Sequence, residues 1–408
     1  MLLKIRTLRL AAQLIAPVVF LSGVKLLAID VDVEVTASGG STSNLFSDST
    51  AKEDTYSASS VDLSYFPLSF ARVNLAGEYT YYGRYFRLSN LRYGGGLTLI
   101  PTPDSSRLSA YIEGNFRNRE YRKSGTASGA LNPNEFTGNE YDAAGGLNYN
   151  LTQKTQLRAG VTYHATEFQI EGVIDRQKFD FATGGNTTLL GRFGLDIEAG
   201  YSTGKFQYID PIKYLPGDPP LPVPRLSIVP GEQYSILLED NLKSGYVSSR
   251  VSASIGRKTG VGLTYSVRRF LDRDESATVY GYSTGYLSPW LKEYEGQAVI
   301  LKLKTFLIPR LITSLTCGFW ERRHLRTVEL ELVENRFHQI EPDINLLYAQ
   351  DRTDWRRRVD IKVQWPLARG NGLVVEPSLQ ADYTDNNSSV LVYDYTDFAL
   401  SGGITVRF

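Results

Sequence analysis

The chain has 408 residues, 44 basic and 44 acidic side chains, 36 glycines, 26 tyrosines, 18 phenylalanines and a single cysteine. The balanced charge argues against nucleic acid as a partner, since phosphate binding needs a basic surface. Lone Cys317 cannot form an internal disulfide, His164, His324 and His338 lie far apart in sequence, and no spacing suggests a metal site or a resident cofactor.

The first segment reads as an address. Lys4, Arg6 and Arg9 precede an apolar stretch from Leu10 to Leu21, and Ala28 offers a small residue before Ile29 and Asp30. This is the pattern of a secretory signal peptide over residues 1–28, leaving 29–408 as one domain. After it, no apolar run approaches the roughly 18 residues a membrane helix needs. The body is therefore soluble or a closed barrel, the other structure that satisfies backbone groups in lipid.

Residues 31–45 are expected to form the first strand, although their alternation is weak. Clearer period-two segments follow. Leu108, Ala110, Ile112, Gly114 and Phe116 alternate with Ser109, Tyr111, Glu113, Asn115 and Arg117. Leu157, Ala159, Val161 and Tyr163 alternate with Arg158, Gly160, Thr162 and His164. In 232–256 the pattern weakens, and residues 234–238 fit either an outward extension or an extra hairpin. Val299, Leu301 and Leu303 then alternate with Lys302 and Lys304, and Val359, Ile361, Val363 and Trp365 with Asp360, Lys362 and Gln364. In the final strand Phe398, Leu400, Gly402, Ile404, Val406 and Phe408 occupy one face. Alternation identifies strands. Runs of about ten residues match a tilted membrane strand, whereas soluble strands are nearer five or six.

The connectors alternate as well. Tight turns are expected at Phe66–Leu68, Pro101–Asp104, Thr152–Lys154, Gly191–Arg192, Arg257–Gly260, Pro309–Arg310 and Ala368–Gly372. Long polar loops are expected near 121–138, 207–231, 273–293, 324–350 and 385–392. Short turns on one side and long loops on the other define a membrane barrel. The predicted fold is all-β: a closed antiparallel transmembrane barrel of about 16 strands, with 14–18 compatible with the spacing.

A signal peptide, repeated amphipathic strands and a last strand ending in Phe408 resemble bacterial outer-membrane β-barrel proteins of the porin kind. The resemblance implies location in the outer membrane. It also implies that Leu400, Gly402, Ile404, Val406 and Phe408 are read by the barrel-insertion machinery. It spans nearly the whole mature chain but carries no motif that names a solute, and a homo-oligomer is compatible with it.

The polar phase lists the expected pore lining: Arg72, Glu78, Arg84, Arg107, Glu113, Arg117, Asp142, Arg158, Asp196, Glu198, Arg250, Arg268, Lys302, Lys304, Asp360, Lys362, Glu376, Asp382 and Arg407. Three arginines, Arg269, Arg323 and Arg357, fall on the apolar phase near outer strand ends, where Arg can grip lipid phosphates, lipopolysaccharide included. Ion pairs to Glu321 or Glu331 are the plainer account. The Pro-rich segment 210–230 either folds inward as a constriction or stands outside. His164, with Asp142 or Ser202 nearby, is the one place where barrel catalysis would be sought, and no catalytic set is expected there. The expected activity is passive diffusion of small hydrophilic solutes through a charged lumen. The alternative is a non-conducting barrel serving as adhesin, scaffold or sheath for a partner protein.

Overall fold

The computed structural model describes residues 31–45, 51–102, 106–121, 137–168, 176–209, 237–272, 278–282, 294–308, 310–324, 326–334, 340–343, 349–350, 352–368, 373–390 and 393–408. Residues 1–28 and the Pro-rich segment 210–230 lie outside them.

Sixteen long strands form the wall. They are β1 (Val31–Thr42), β2 (Asp54–Leu68), β3 (Ala71–Tyr82), β4 (Asn90–Leu99), β5 (Leu108–Tyr121), β6 (Gly138–Asn150), β7 (Thr155–Phe168) and β8 (Arg176–Leu189). The second half comprises β9 (Phe193–Ile209), β10 (Leu237–Ile255), β11 (Thr259–Asp272), β12 (Tyr294–Ile308), β13 (Leu311–His324), β14 (Thr353–Gln364), β15 (Val374–Ser388) and β16 (Tyr395–Arg407). Each pairs antiparallel with its neighbours in sequence. Closure comes from β1 against β16, in register from Glu34↔Arg407 to Thr42↔Ala399. Val33 and Phe408 exchange both backbone bonds, at 2.9 and 3.0 Å, at the end of this seam.

One face of the sheet, followed from strand to strand, shows why it can close. Leu75, Ile112, Leu147, Val251, Leu379 and Ile404 are exposed although apolar. Their phase is continuous from strand to strand, because a one-residue slip would exchange the two faces. Among the described residues no central apolar core forms. The buried apolar clusters among them are small: Tyr82, Tyr85 and Leu88 near the β3–β4 connection, and Val33 with Val35 packed against Val61, Leu63 and Phe408 at the seam.

The connections match the expected alternation. The turn between β8 and β9 carries positive φ at Leu190 and Gly191, a conformation natural only for the glycine. On the other side, β10 continues outward and pairs Leu237 and Leu238 with Ile209 and Tyr208, so these two residues extend the wall, while 234–236 lie outside the described residues. The region expected as a long loop near 324–350 is different. It contains the short strands Arg326–Glu334, Ile340–Asp343 and Ala349–Gln350. Thr278–Tyr282 pairs in parallel with the first of them. The signal was present, since Val328, Leu330 and Leu332 alternate with Glu329 and Glu331.

Glycines on the polar face act as seats for large neighbours. Tyr111, Gly146, Gly160, Ala182, Gly200 and Tyr246 form one cross-strand row from β5 to β10. The Tyr111 ring lies over Gly146, and the Tyr246 ring over Gly200, where an added Cβ would strike it. Gly200→Leu should displace Tyr246 and destabilise the barrel by about 1–3 kcal/mol. Gly77→Ala, where an added Cβ meets nothing within 4 Å, should stay within about 0.5 kcal/mol of the parent. The midpoint of heat-modified migration on gels, compared between the two variants, checks this.

Candidate functional site: the charged polar face

The eighteen residues of the expected lining other than Arg84 share the polar phase of the sheet. The register links Arg407 to Glu34, Glu34 to Asp62, Glu78 to Arg92, Asp142 to His164, Asp196 to Arg250 and Lys302 to Gly262. Arg84 is displaced into the β3–β4 connection, where its backbone N–H donates to Asp54 Oδ1 at 2.8 Å. The alternation does not continue past the end of β3 at Tyr82.

Several of these charges are organised into networks. Arg158 reaches across Gly184 to make a two-point fork with Asp196, at 2.9 and 2.8 Å, and a further bond of 2.8 Å to Glu198. Tyr246 donates its hydroxyl to the other Glu198 oxygen at 2.8 Å. At the seam, Arg407 Nε donates to Glu34 Oε2 at 2.7 Å and Nη1 to Glu376 Oε2 at 3.3 Å. Gln364 completes the buried Glu376 at 2.6 Å. Arg358 Nε holds Asp382 at 2.6 Å, and Gln380 donates to Asp360 at 2.6 Å.

Aromatic and cationic side chains alternate toward the outer ends of β10–β13. The Arg268 guanidinium lies 6.0 Å from the Tyr246 ring and 5.9 Å from Tyr294, while Arg322 lies 4.8 Å from Tyr294 and 5.6 Å from Trp320. Gly296 sits at φ 147° between Arg268 and Arg322, and a Cβ there would collide with the Glu321 carbonyl. Nearby, buried His324 lies 3.3 Å from Asp354, which also takes Arg352 at 2.5 Å. A recess of about 480 Å³ opens in the wall of β1–β5, bordered by Asp62, Glu78, Arg92 and Arg117.

His164 gives a specific answer on catalysis. Its Nδ1 is hydrogen-bonded to Asp142, as the sequence spacing allows. Ser202, however, donates to Asp180, whose other oxygen is 3.7 Å from His164 Nε2. The serine therefore faces a carboxylate instead of the imidazole, and this is not the order of a Ser–His–acid relay. Lys178 adds an ion pair to Asp180 at 3.2 Å. Neither Lys178 nor Asp180 stood out in the sequence. Their signal was the alternation with Phe179 and Phe181.

The three arginines of the apolar phase all lie exposed. Arg323 pairs with Glu321 at 3.2 Å and Arg357 with Asp385 at 3.6 Å, while their side chains remain 54% and 71% exposed. Gln297 links Glu321 at 2.9 Å to Tyr265, whose hydroxyl donates to it at 3.1 Å. Exposed Tyr265, Phe319 and Trp355 share this phase. The plainer reading through Glu321 thus holds for Arg323. Glu331 lies outside the side chains described.

These features define a transmembrane β-barrel of the outer-membrane type by fold. No protein-family model matches the chain, and no curated protein matches its sequence. Among solved structures, CdiB from Acinetobacter baumannii aligns at a TM-score of 0.50 with 10% identity, over 92% of this chain and 60% of that one. OccAB1 from Acinetobacter baumannii aligns at 0.46 with 10% identity, over 93% and 97%. OpdK from Pseudomonas aeruginosa, crystallised with vanillate, aligns at 0.42 with 10% identity, over 93% and 99%. At such identity the likeness concerns the fold.

Arg158 gives the sharpest test of the networks. Arg158→Ala leaves Asp196 and Glu198 facing each other without a cation, and should cost about 1–3 kcal/mol. Replacing both carboxylates as well, by Asp196→Asn and Glu198→Gln, should restore most of that loss. Urea unfolding of the single and triple variants measures both.

Proposed function

We propose that the chain is a passive channel of the bacterial outer membrane, admitting small hydrophilic solutes through the space enclosed by its polar face. One observation carries this reading: a closed ring of sixteen strands bears charged side chains along one continuous phase. A ring of this size is too wide for side chains alone to fill, and lining charges set which ions enter. The apolar phase meets lipid, so the polar phase faces inward. No cofactor takes part. Purified protein in planar bilayers should give stepwise ohmic conductance that grows with KCl concentration, and a flat trace at leak level would sink the reading.

We propose in addition that Arg269, Arg323 and Arg357 meet lipid phosphates at the outer interface. Their exposure above Tyr265, Phe319 and Trp355 supports this, since charge is tolerated near the interface and Arg forks fit phosphate. Changing all three to Ala should lower the lipopolysaccharide that copurifies with the barrel by at least about half. Phosphate assay of the purified protein reads the change, and an unaltered content would refute the contact. Strand β16, whose Phe408 closes the seam, is the segment offered to the insertion machinery.

A further inference from the structure

Four cations of the polar face gather on β10–β14, with the Asp360 carboxylate at the edge of the group. The register sets Arg250 directly opposite Asp196 of β9, the carboxylate that would neutralise it. Asp196 is already held by the two-point fork of Arg158. The Arg250 guanidinium turns the other way and lies over Gly262 of β11, where a Cβ would stand 3.4 Å from Nε and 3.5 Å from Nη2. Gly262 is the cross-strand neighbour of Lys302, and Gly260 of Lys304. Lys304 continues through Ser314 to Lys362.

Arg250, Lys302, Lys304 and Lys362 therefore stand around a floor of Gly260, Gly262, Ser314 and Thr316. None of the four has a carboxylate within 4.0 Å among the described residues. Asp360, the acid nearest in register, takes its hydrogen bond from Gln380. Like charges at 5–10 Å repel by about 0.4–0.8 kcal/mol per pair even in water. An arginine turned from its already engaged cross-strand acid toward two lysines forms a cluster that an anion would stabilise. Acids Glu34, Asp62 and Glu78 stand on β1–β3, five to seven strands from β12 by way of the seam, with Glu34 held by Arg407.

We propose that this patch binds a small solute bearing an oxyanion, a carboxylate or phosphate group, held by the Arg250 fork and the ammonium groups of Lys302 and Lys304. Gly260, where an added Cβ meets nothing within 4 Å, leaves the backbone open to the group, while Gly262 seats the Arg250 guanidinium. The assignment rests on the channel reading for its purpose, but binding can be measured apart from conduction.

The test is calorimetric titration of the detergent-solubilised barrel with acetate and, separately, inorganic phosphate. The parent protein is compared with the variant carrying Arg250→Gln, Lys302→Gln and Lys304→Gln, and with Lys302→Arg plus Lys304→Arg. Binding of either anion should weaken at least about tenfold in the glutamine variant and persist in the arginine variant. Binding of acetate alone would assign the carboxylate class, and of phosphate alone the phosphate class. No binding to the parent, or equal binding to parent and glutamine variant, overturns the site. If the triple variant loses its heat-modified migration, the same comparison is made with Lys302→Gln and Lys304→Gln singly, whose exposed side chains carry no structural bond. In planar bilayers the chloride-to-potassium permeability ratio should fall by about threefold in the glutamine variant. An absence of conductance in the parent, with anion binding retained, would reject the channel and leave the binding site standing.

Discussion

Everything in this molecule follows from the backbone hydrogen bond in a medium without water. An unpaired N–H or C=O costs several kcal/mol in hydrocarbon, so a sheet that enters it cannot have an edge. The seam between β1 and β16 removes that edge, with Val33 and Phe408 exchanging their backbone bonds at its end. Closure makes each strand present one face to lipid and one to the interior. It also frees the fold from needing a central apolar core. The usual arrangement is thus inverted: large apolar residues such as Ile112 and Leu379 are exposed, while Glu376, Ser202 and Asp354 are among the buried ones.

The polar face solves a packing problem before it solves a transport problem. Neighbouring strands set side chains of one face only about 5 Å apart, so bulky residues in adjacent strands would collide. Glycines relieve the crowding. Tyr111 rests on Gly146, Tyr246 on Gly200 and Trp320 on Gly318, and Arg158 crosses Gly184 to reach two acids of β9. The lining is consequently a laid surface of rings and forked ion pairs, and four cations outside these pairs, Arg250, Lys302, Lys304 and Lys362, share the β10–β14 wall. A balanced formal charge for the whole chain conceals this separation.

Much of this was legible in the amino-acid order, and for a physical reason. A strand with lipid on one side and water on the other writes its orientation as a strict alternation, which Val359–Trp365 and Phe398–Phe408 display without ambiguity. Tight turns between Leu189 and Phe193 or Ile255 and Thr259 mark where strands reverse. The alternation failed where strands leave the bilayer. Extrapolated alternation overruns β3 at Arg84, and charge at the polar positions of Arg326–Glu334 gives that strand the look of a loop.

Periodicity also could not say which charges meet. The sequence alone determined the face each residue occupies, since that depends only on local period. Partner choice depends on register between strands distant in the chain and on which way a long side chain leans. That is why Ser202 bonds to Asp180 and not to His164, and why Arg250 leaves Asp196 for Gly262. The barrel and its two faces were set by alternation within single strands. The networks, and the cationic wall left over once they are formed, were decided only when sixteen strands closed in one register.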